Sequence, residues 1–226
     1  STEAIEEGTH QEVVAQAAAF VRRRRTEIFD TPAGPEVRTK STPTDPVTVA
    51  DTESEHVVRE LLARVRPGEP ILGEEGGGSA GSPGAVRWVV DPIDGTVNFV
   101  YGIPAYAVSL AAQVDGVSVA GAVADVCSGE VFSAALGRGA TRTVDGERRL
   151  LRSTGVTDLA MVLIGTGFGY DARRRAGQAA LLARLLPLVR DVRRMGSAAL
   201  DLCQVAAGRL DAHYEHGLNV WDWAAG

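Results

Sequence analysis

Lysine is almost missing from this chain: of its 23 basic residues, Lys40 alone is not arginine. A protein that uses arginine for nearly every cation marks position 40 as a place for a compact ammonium rather than a planar fork, the alternative being chance retention. Cysteine is scarce too. Cys127 and Cys203 are the only two in 226 residues, which leaves no disulfide framework and predicts a reducing, cytoplasmic setting. No apolar run reaches membrane-spanning length, and no signal peptide is visible. Excess positive charge is also absent. The formal net charge is -6, so nucleic acid and anionic membrane are poor default partners, and a phosphate ester would need local cations.

What is present suits a globular protein. The chain is 45% hydrophobic and 23% charged, enough to bury a substantial core in one large domain or two small ones. Thr9 and Glu12 read as a capping box before Val13, Val14, Ala17, Phe20 and Val21, which predicts a helix ending near 22–25. The four arginines there read as a solvated helix end rather than a nucleic-acid patch. Residues 39–51, TKSTPTDPVTVAD, read as a polar, proline-broken loop with a short extended piece at Val47, Thr48 and Val49. A second helix follows, with Thr52 and Glu55 as its capping box and Pro67-Gly68 as its stop. Ile71-Leu72 is a short strand stopping at Gly73-Glu74-Glu75. Asp115-Gly116 and Asp145-Gly146 mark hairpins in a β-rich middle. The last third alternates strand 160–165, helix 171–186, strand 191–195, helix 197–207 and strand 210–215. Helices set against two strand groups predict stacked α and β layers.

The chemistry concentrates in WVVDPIDGT, residues 88–96. A buried strand runs into Asp91 and Asp94, with Pro92 stiffening the turn between them. Two carboxylates and the Ile93 carbonyl aimed at one point are hard oxygen donors, which suit Mg²⁺ or Mn²⁺ better than zinc. Gly95-Thr96 offers backbone N–H groups at a helix start, where anions bind. The competing reading is a type I turn with an N-cap. The other acidic positions have equally plain alternatives: Glu75 a solvated loop charge, Asp45 a turn former, Asp51 an N-cap, and Asp222 the cap of the last helix.

Taken together and in this order, DPVTVAD, GEE, WVVDPIDGTVNF and WDWAAG resemble the signature of the inositol monophosphatase family, and GSAALDLCQVAAGRLDAHYEHG extends the resemblance over nearly the whole chain. Val97 and Val49 depart from the usual pattern at positions that are not ligands. The resemblance implies an αβαβα sandwich, with an N-terminal α+β part over about 1–150, an α/β part over about 151–226, and a C-terminal tail beyond. It implies a lithium-sensitive phosphatase acting on a small phosphorylated polyol with two or three Mg²⁺ ions, Mn²⁺ substituting, and a homodimer. Glu74, Asp91 and the Ile93 carbonyl would hold one ion, and Asp91, Asp94 and Asp222 a second. A third would lean on Glu74 and water. Asp51 would bond Thr96, Thr96 and Glu74 would orient the attacking water, and the backbone N–H groups of Gly95 and Thr96 would receive the phosphate, with Lys40 nearby. Gly196, Ser197, Ala198 and Glu215 would contact the alcohol, which favours myo-inositol 1-phosphate. Histidinol phosphate is the alternative substrate, and a non-catalytic role in transcription or RNA processing the alternative class.

Overall fold

The structure is a computed structural model, and it describes residues 8–29, 37–40, 46–79 and 81–226. Two helices, α1 (Thr9–Phe29) and α2 (Val49–Val65), form the first layer. They cover one face of a seven-stranded sheet in the order β3-β4-β5-β6-β7-β8-β9. Its strands are β3 (Ile71–Gly73), β4 (Val86–Asp94), β5 (Ala107–Val114), β6 (Val117–Asp125), β7 (Val131–Ala135), β8 (Gly139–Val144) and β9 (Glu147–Leu150). Only β3 and β4 run parallel in it; the other neighbours are antiparallel. A small antiparallel pair, β1 (Val37–Thr39) with β2 (Pro46–Thr48), lies before α2. Short helix α3 (Thr96–Tyr101) follows β4.

Strand periodicity explains why helices cover both faces. Trp88 and Val90 point into the core shared with α1 and α2, while Val89 between them packs with Ala224 on the far side. In β5, Val108, Leu110 and Ala112 join the first core, and Ala107 joins Ala199, Leu200 and Cys203 in another. Each such buried large side chain contributes about 1.5–3 kcal/mol. The far face thus carries α5 (Ala198–Ala206) and α6 (Val220–Trp223). Behind α5 lies a parallel three-stranded sheet, β11-β10-β12, built from β10 (Leu163–Thr166), β11 (Asp191–Arg193) and β12 (Ala212–Tyr214). Helix α4 (Ala172–Leu185), with no buried residue, forms the last layer of an αβαβα sandwich. Among the described residues no helix is long and apolar enough to cross a membrane.

Three local expectations are corrected. Helix α1 runs on to Phe29, and three of the four arginines at 22–25 make specific contacts. Arg22 Nε donates to Val126 O at 2.7 Å, Arg25 Nε to Phe99 O at 3.0 Å, and Arg24 Nε pairs with Glu53 at 2.5 Å. Helix α2 starts at Val49, not Thr52, with Thr48 as N-cap and Asp51 as the reciprocal partner: Asp51 Oδ2 accepts the Thr48 N–H at 2.8 Å. Glu55 is therefore free of capping and has another task. Third, the strand does not turn at Asp91 but continues to Asp94 through a register shift. Asp45 lies outside the described residues. Both hairpin turns match expectation, with Asp115 at φ 49° and Asp145 at φ 50°, each followed by a glycine.

Candidate active site

The register shift in β4 creates the site. Residues three apart on a regular strand point to opposite faces, so Asp91 and Asp94 could not meet. A bulge between them breaks the alternation. Pro92 fits there because it has no N–H to leave unpaired. The Ile93 side chain stays in the core, while its backbone N–H donates to Asp91 Oδ1 at 3.1 Å. Ligating oxygens of Asp91, Asp94 and Asp222 consequently lie within 4.8 Å of one another. Gly95 follows at φ 98°, where a Cβ would also stand 2.9 Å from Ala105 O, so only glycine closes this corner.

Parallel pairing of β3 with β4 brings in the next carboxylate. Gly73 stands opposite Val90, and the Glu74 N–H donates to Val90 O at 3.2 Å, so Glu74 emerges beside Asp91. Lys40, just past β1, reaches over with Nζ 2.7 Å from Glu74 Oε1 and 2.5 Å from Glu75 Oε1. Glu75 is thus paired rather than solvated. Burial opposes the Lys40 charge, but the two glutamates outweigh it and hold the ammonium above its usual range.

Glu55 is a shaping residue that the sequence concealed, because it reads as an ordinary helix charge. Its side chain is buried, takes Arg59 Nε at 2.8 Å, and accepts the Glu75 and Gly76 N–H groups at 2.8 and 2.9 Å on separate oxygens. A Cβ at Gly73 or Gly76 would overlap this carboxylate, which is why the acidic pair sits between glycines. Glu55→Gln is expected to lower unfolding free energy by about 1–3 kcal/mol, since one backbone N–H would face an amide donor. A urea midpoint equal to the parent's would show that the loop holds itself.

The remaining predicted residues fall around this core. Asp51 is fully buried beneath the cavity. Thr96 Oγ1 lies 2.9 Å from Asp51 Oδ1 and 3.0 Å from Ile93 O, and its single hydrogen serves one of them at a time. Asp94 Oδ2 accepts from Ser197 Oγ at 2.6 Å and from the Ala199 N–H at 2.7 Å, which ties the bulge to the start of α5. Asp222 is not the cap of α6 but its third residue, accepting the Asn219 N–H at 2.6 Å. Burial, then crowding by Glu74, Asp94 and Asp222, holds the Asp91 carboxyl well above its ordinary value. Burial lifts Asp94 to about 6 against its hydrogen bonds from Ser197 and Ala199. Burial and Asp94 lift Asp222 to about 7. Glu74 is also raised by burial, with Lys40 pulling it down. A concave set of buried carboxyls with raised pKa values marks a candidate functional site.

A cavity of about 490 Å³ opens over this cluster. Lys40, Glu74, Asp91, Ile93, Asp94, Gly95, Thr96 and Asp222 line one part, and Gly196, Ser197, Ala198 and Glu215 line the other. Arg174, Arg194 and Asp201 also line it; Asp201 lies within the GSAALDLCQVAAGRLDAHYEHG stretch, whereas no motif in the sequence pointed to Arg174 or Arg194.

Comparison with known proteins agrees with this geometry. The model of the inositol monophosphatase family matches residues 6–226. An inositol-1-monophosphatase of Mycobacterium leprae is 64% identical over 224 residues, covering 96% of this chain and 77% of that protein. A Nus factor SuhB of Pasteurella multocida is 42% identical over 183 residues, covering 80% of this chain and 67% of that protein. The solved structure of Mycobacterium tuberculosis SuhB superposes with a TM-score of 0.84 at 59% identity, covering 97% of this chain and 80% of that one. Sequence, fold and comparison converge: this chain belongs to the inositol monophosphatase family and is a phosphatase.

Proposed function

We propose that this phosphatase hydrolyses myo-inositol 1-phosphate to inositol and phosphate, with Mg²⁺ bound by its acidic cluster and Mn²⁺ as a substitute. The observation that carries the reading is the convergence of Asp91, Asp94 and Asp222 in a cavity that also holds Glu215. The donor set is all oxygen and its carboxyls are raised by burial and then by crowding, which fits a hard divalent ion. Glu74, Asp91 and the Ile93 carbonyl would hold one ion, Asp91, Asp94 and Asp222 a second, and Glu74 with water a weaker third. Bound there, Mg²⁺ lowers the pKa of a water and neutralises charge on the leaving ester oxygen.

The protein's own groups supply position. When Thr96 donates its hydrogen to Asp51, its lone pairs are left to accept from a water, and Glu74 accepts from the same water on its other side. Gly95 and Thr96 turn backbone N–H groups to the phosphate, with the Lys40 ammonium as the nearby cation. Glu215 accepts hydrogen bonds from vicinal hydroxyls of the alcohol. Lithium inhibition and a homodimer belong to the same reading.

Steady-state kinetics on four esters test it: inositol 1-phosphate, histidinol phosphate, fructose 1,6-bisphosphate and 3′-phosphoadenosine 5′-phosphate. The highest kcat/KM is expected for inositol 1-phosphate. A preference for histidinol phosphate would make Glu215 an amine acceptor and change the substrate. The Nus factor name of the Pasteurella relative favours a second reading, in which the chain serves transcription through a protein or RNA partner. Tight RNA or protein binding without phosphate release would select it.

A further inference from the structure

Against the Asp201 and Glu215 lining of the cavity, in a row with them, stands a histidine to which the proposed chemistry gives no part. His213, at the centre of β12, is buried with 4% of its side chain exposed. Its Nδ1 stands 3.7 Å from Asp201 Oδ2, and its Nε2 stands 3.6 Å from Glu215 Oε2. Among the described residues no hydrogen-bond partner meets either imidazole nitrogen, nor Asp201 Oδ1, although all three atoms are buried. Three buried polar atoms left so bare are costly for a structure that gains nothing from them.

The fold makes room for this row. His213 and Glu215 point the same way along β12 and its continuation, and Gly165 and Gly167 face them from the parallel neighbour β10 and its continuation. A Cβ on Gly165 would stand 3.0 Å from His213 Nδ1, and one on Gly167 would overlap the Glu215 carboxylate. Neither glycine has a positive φ, so their small size serves close approach rather than backbone conformation. Two glycines in register thus form a bed for the imidazole and the carboxylate.

We propose that His213 is a positioning residue for substrate discrimination: oriented by Asp201 behind it, it fixes the Glu215 carboxylate in the cavity. The inference rests on the reading of Glu215 as the group that contacts the alcohol. Each imidazole nitrogen faces a carboxylate, Nδ1 that of Asp201 and Nε2 that of Glu215. Asp201 orients the ring, and the ring orients the acting group, the same logic by which a buried aspartate sets a catalytic histidine. Asp201 sits one turn after Ser197, whose hydroxyl bonds Asp94, so the row leads back to the acidic cluster.

The test compares kcat/KM for inositol 1-phosphate with kcat/KM for p-nitrophenyl phosphate, an ester without hydroxyls, in His213→Phe, Glu215→Gln and the double variant. His213→Phe should lower the ratio about tenfold, the scale of a slightly misplaced contact group, with the loss mainly in KM for inositol 1-phosphate. The double variant should be no less selective than Glu215→Gln alone, because His213 acts only through Glu215. A wild-type ratio in His213→Phe beside a lowered one in Glu215→Gln would overturn the proposal, as would multiplying losses in the double variant. A wild-type ratio in Glu215→Gln would instead refute the reading of Glu215 beneath it. If His213→Phe does not fold, Asp201→Asn carries the same test, and an unchanged ratio there overturns the relay.

Discussion

Asp94→Asn is expected to slow phosphate release by roughly a thousandfold while leaving the fold in place. Asp94 spends one oxygen on Ser197 Oγ and the Ala199 N–H, both donors, and turns the other toward Asp91 and Asp222. Asparagine keeps the shape but has one acceptor. That oxygen must face the two donors, so the NH₂ group is turned toward the ion site, where it cannot ligate. Losing a ligand and its charge should remove about 4 kcal/mol of transition-state stabilisation, which is the thousandfold. The ion-free variant should unfold no more easily than the parent, since one repelling carboxylate is gone from a buried cluster. Initial rates within about tenfold of the parent would show that Asp94 only braces α5.

Thermal stability is expected to depend on pH and Mg²⁺ together. Asp91, Asp94 and Asp222 all sit above the ordinary aspartate value in the fold, Asp94 at about 6 and Asp222 at about 7. Between about pH 4 and pH 7 the folded chain therefore holds protons that the unfolded chain has released. Stability must fall as pH rises through that window, in the opposite sense to a salt-bridged carboxylate. A divalent ion reverses this by making the ionised cluster favourable. At a hundredfold excess over its Kd, one bound ion adds about 2.7 kcal/mol, which for a chain of this length raises Tm by about 5–10 °C. The rise should be largest near pH 8 and small near pH 5, where protons compete with the metal. Melting curves at both pH values, with and without Mg²⁺, measure it. An equal rise at both would mean that the ion binds away from these carboxylates.

Much of this site was legible because its parts lie on short, stiff pieces of sequence. The WVVDPIDGT stretch carries its own strand, its proline and its glycine, so the place of Asp91 and Asp94 could be read locally. The bulge could not. It shows only in the pairing with β5, a partner whose register the local letters do not specify. Glu55 was misassigned for a related reason. Spacing made Thr52 and Glu55 a capping box, but Thr48 and Asp51 sit one turn earlier with the same pattern, and tertiary contact with Thr96 selects them. The arginine run at 22–25 looked solvated because nothing local names Val126, Phe99 or Glu53 as its acceptors. Arg174 and Arg194 lie outside every motif, and His213 lies inside one without a role that local letters could give it: its place against Gly165 comes from the parallel pairing of β10 with β12, strands distant in sequence.

Phosphate release from inositol 1-phosphate, followed while Mg²⁺ is removed by a chelator and then restored, tests the central claim most directly. The account predicts that turnover falls to background in excess chelator, returns on adding Mg²⁺ beyond the chelator, and does neither in Asp94→Asn. Full turnover with all divalent ions chelated would contradict it, because the converged carboxylates would then be repelling one another in the active site for no chemical end.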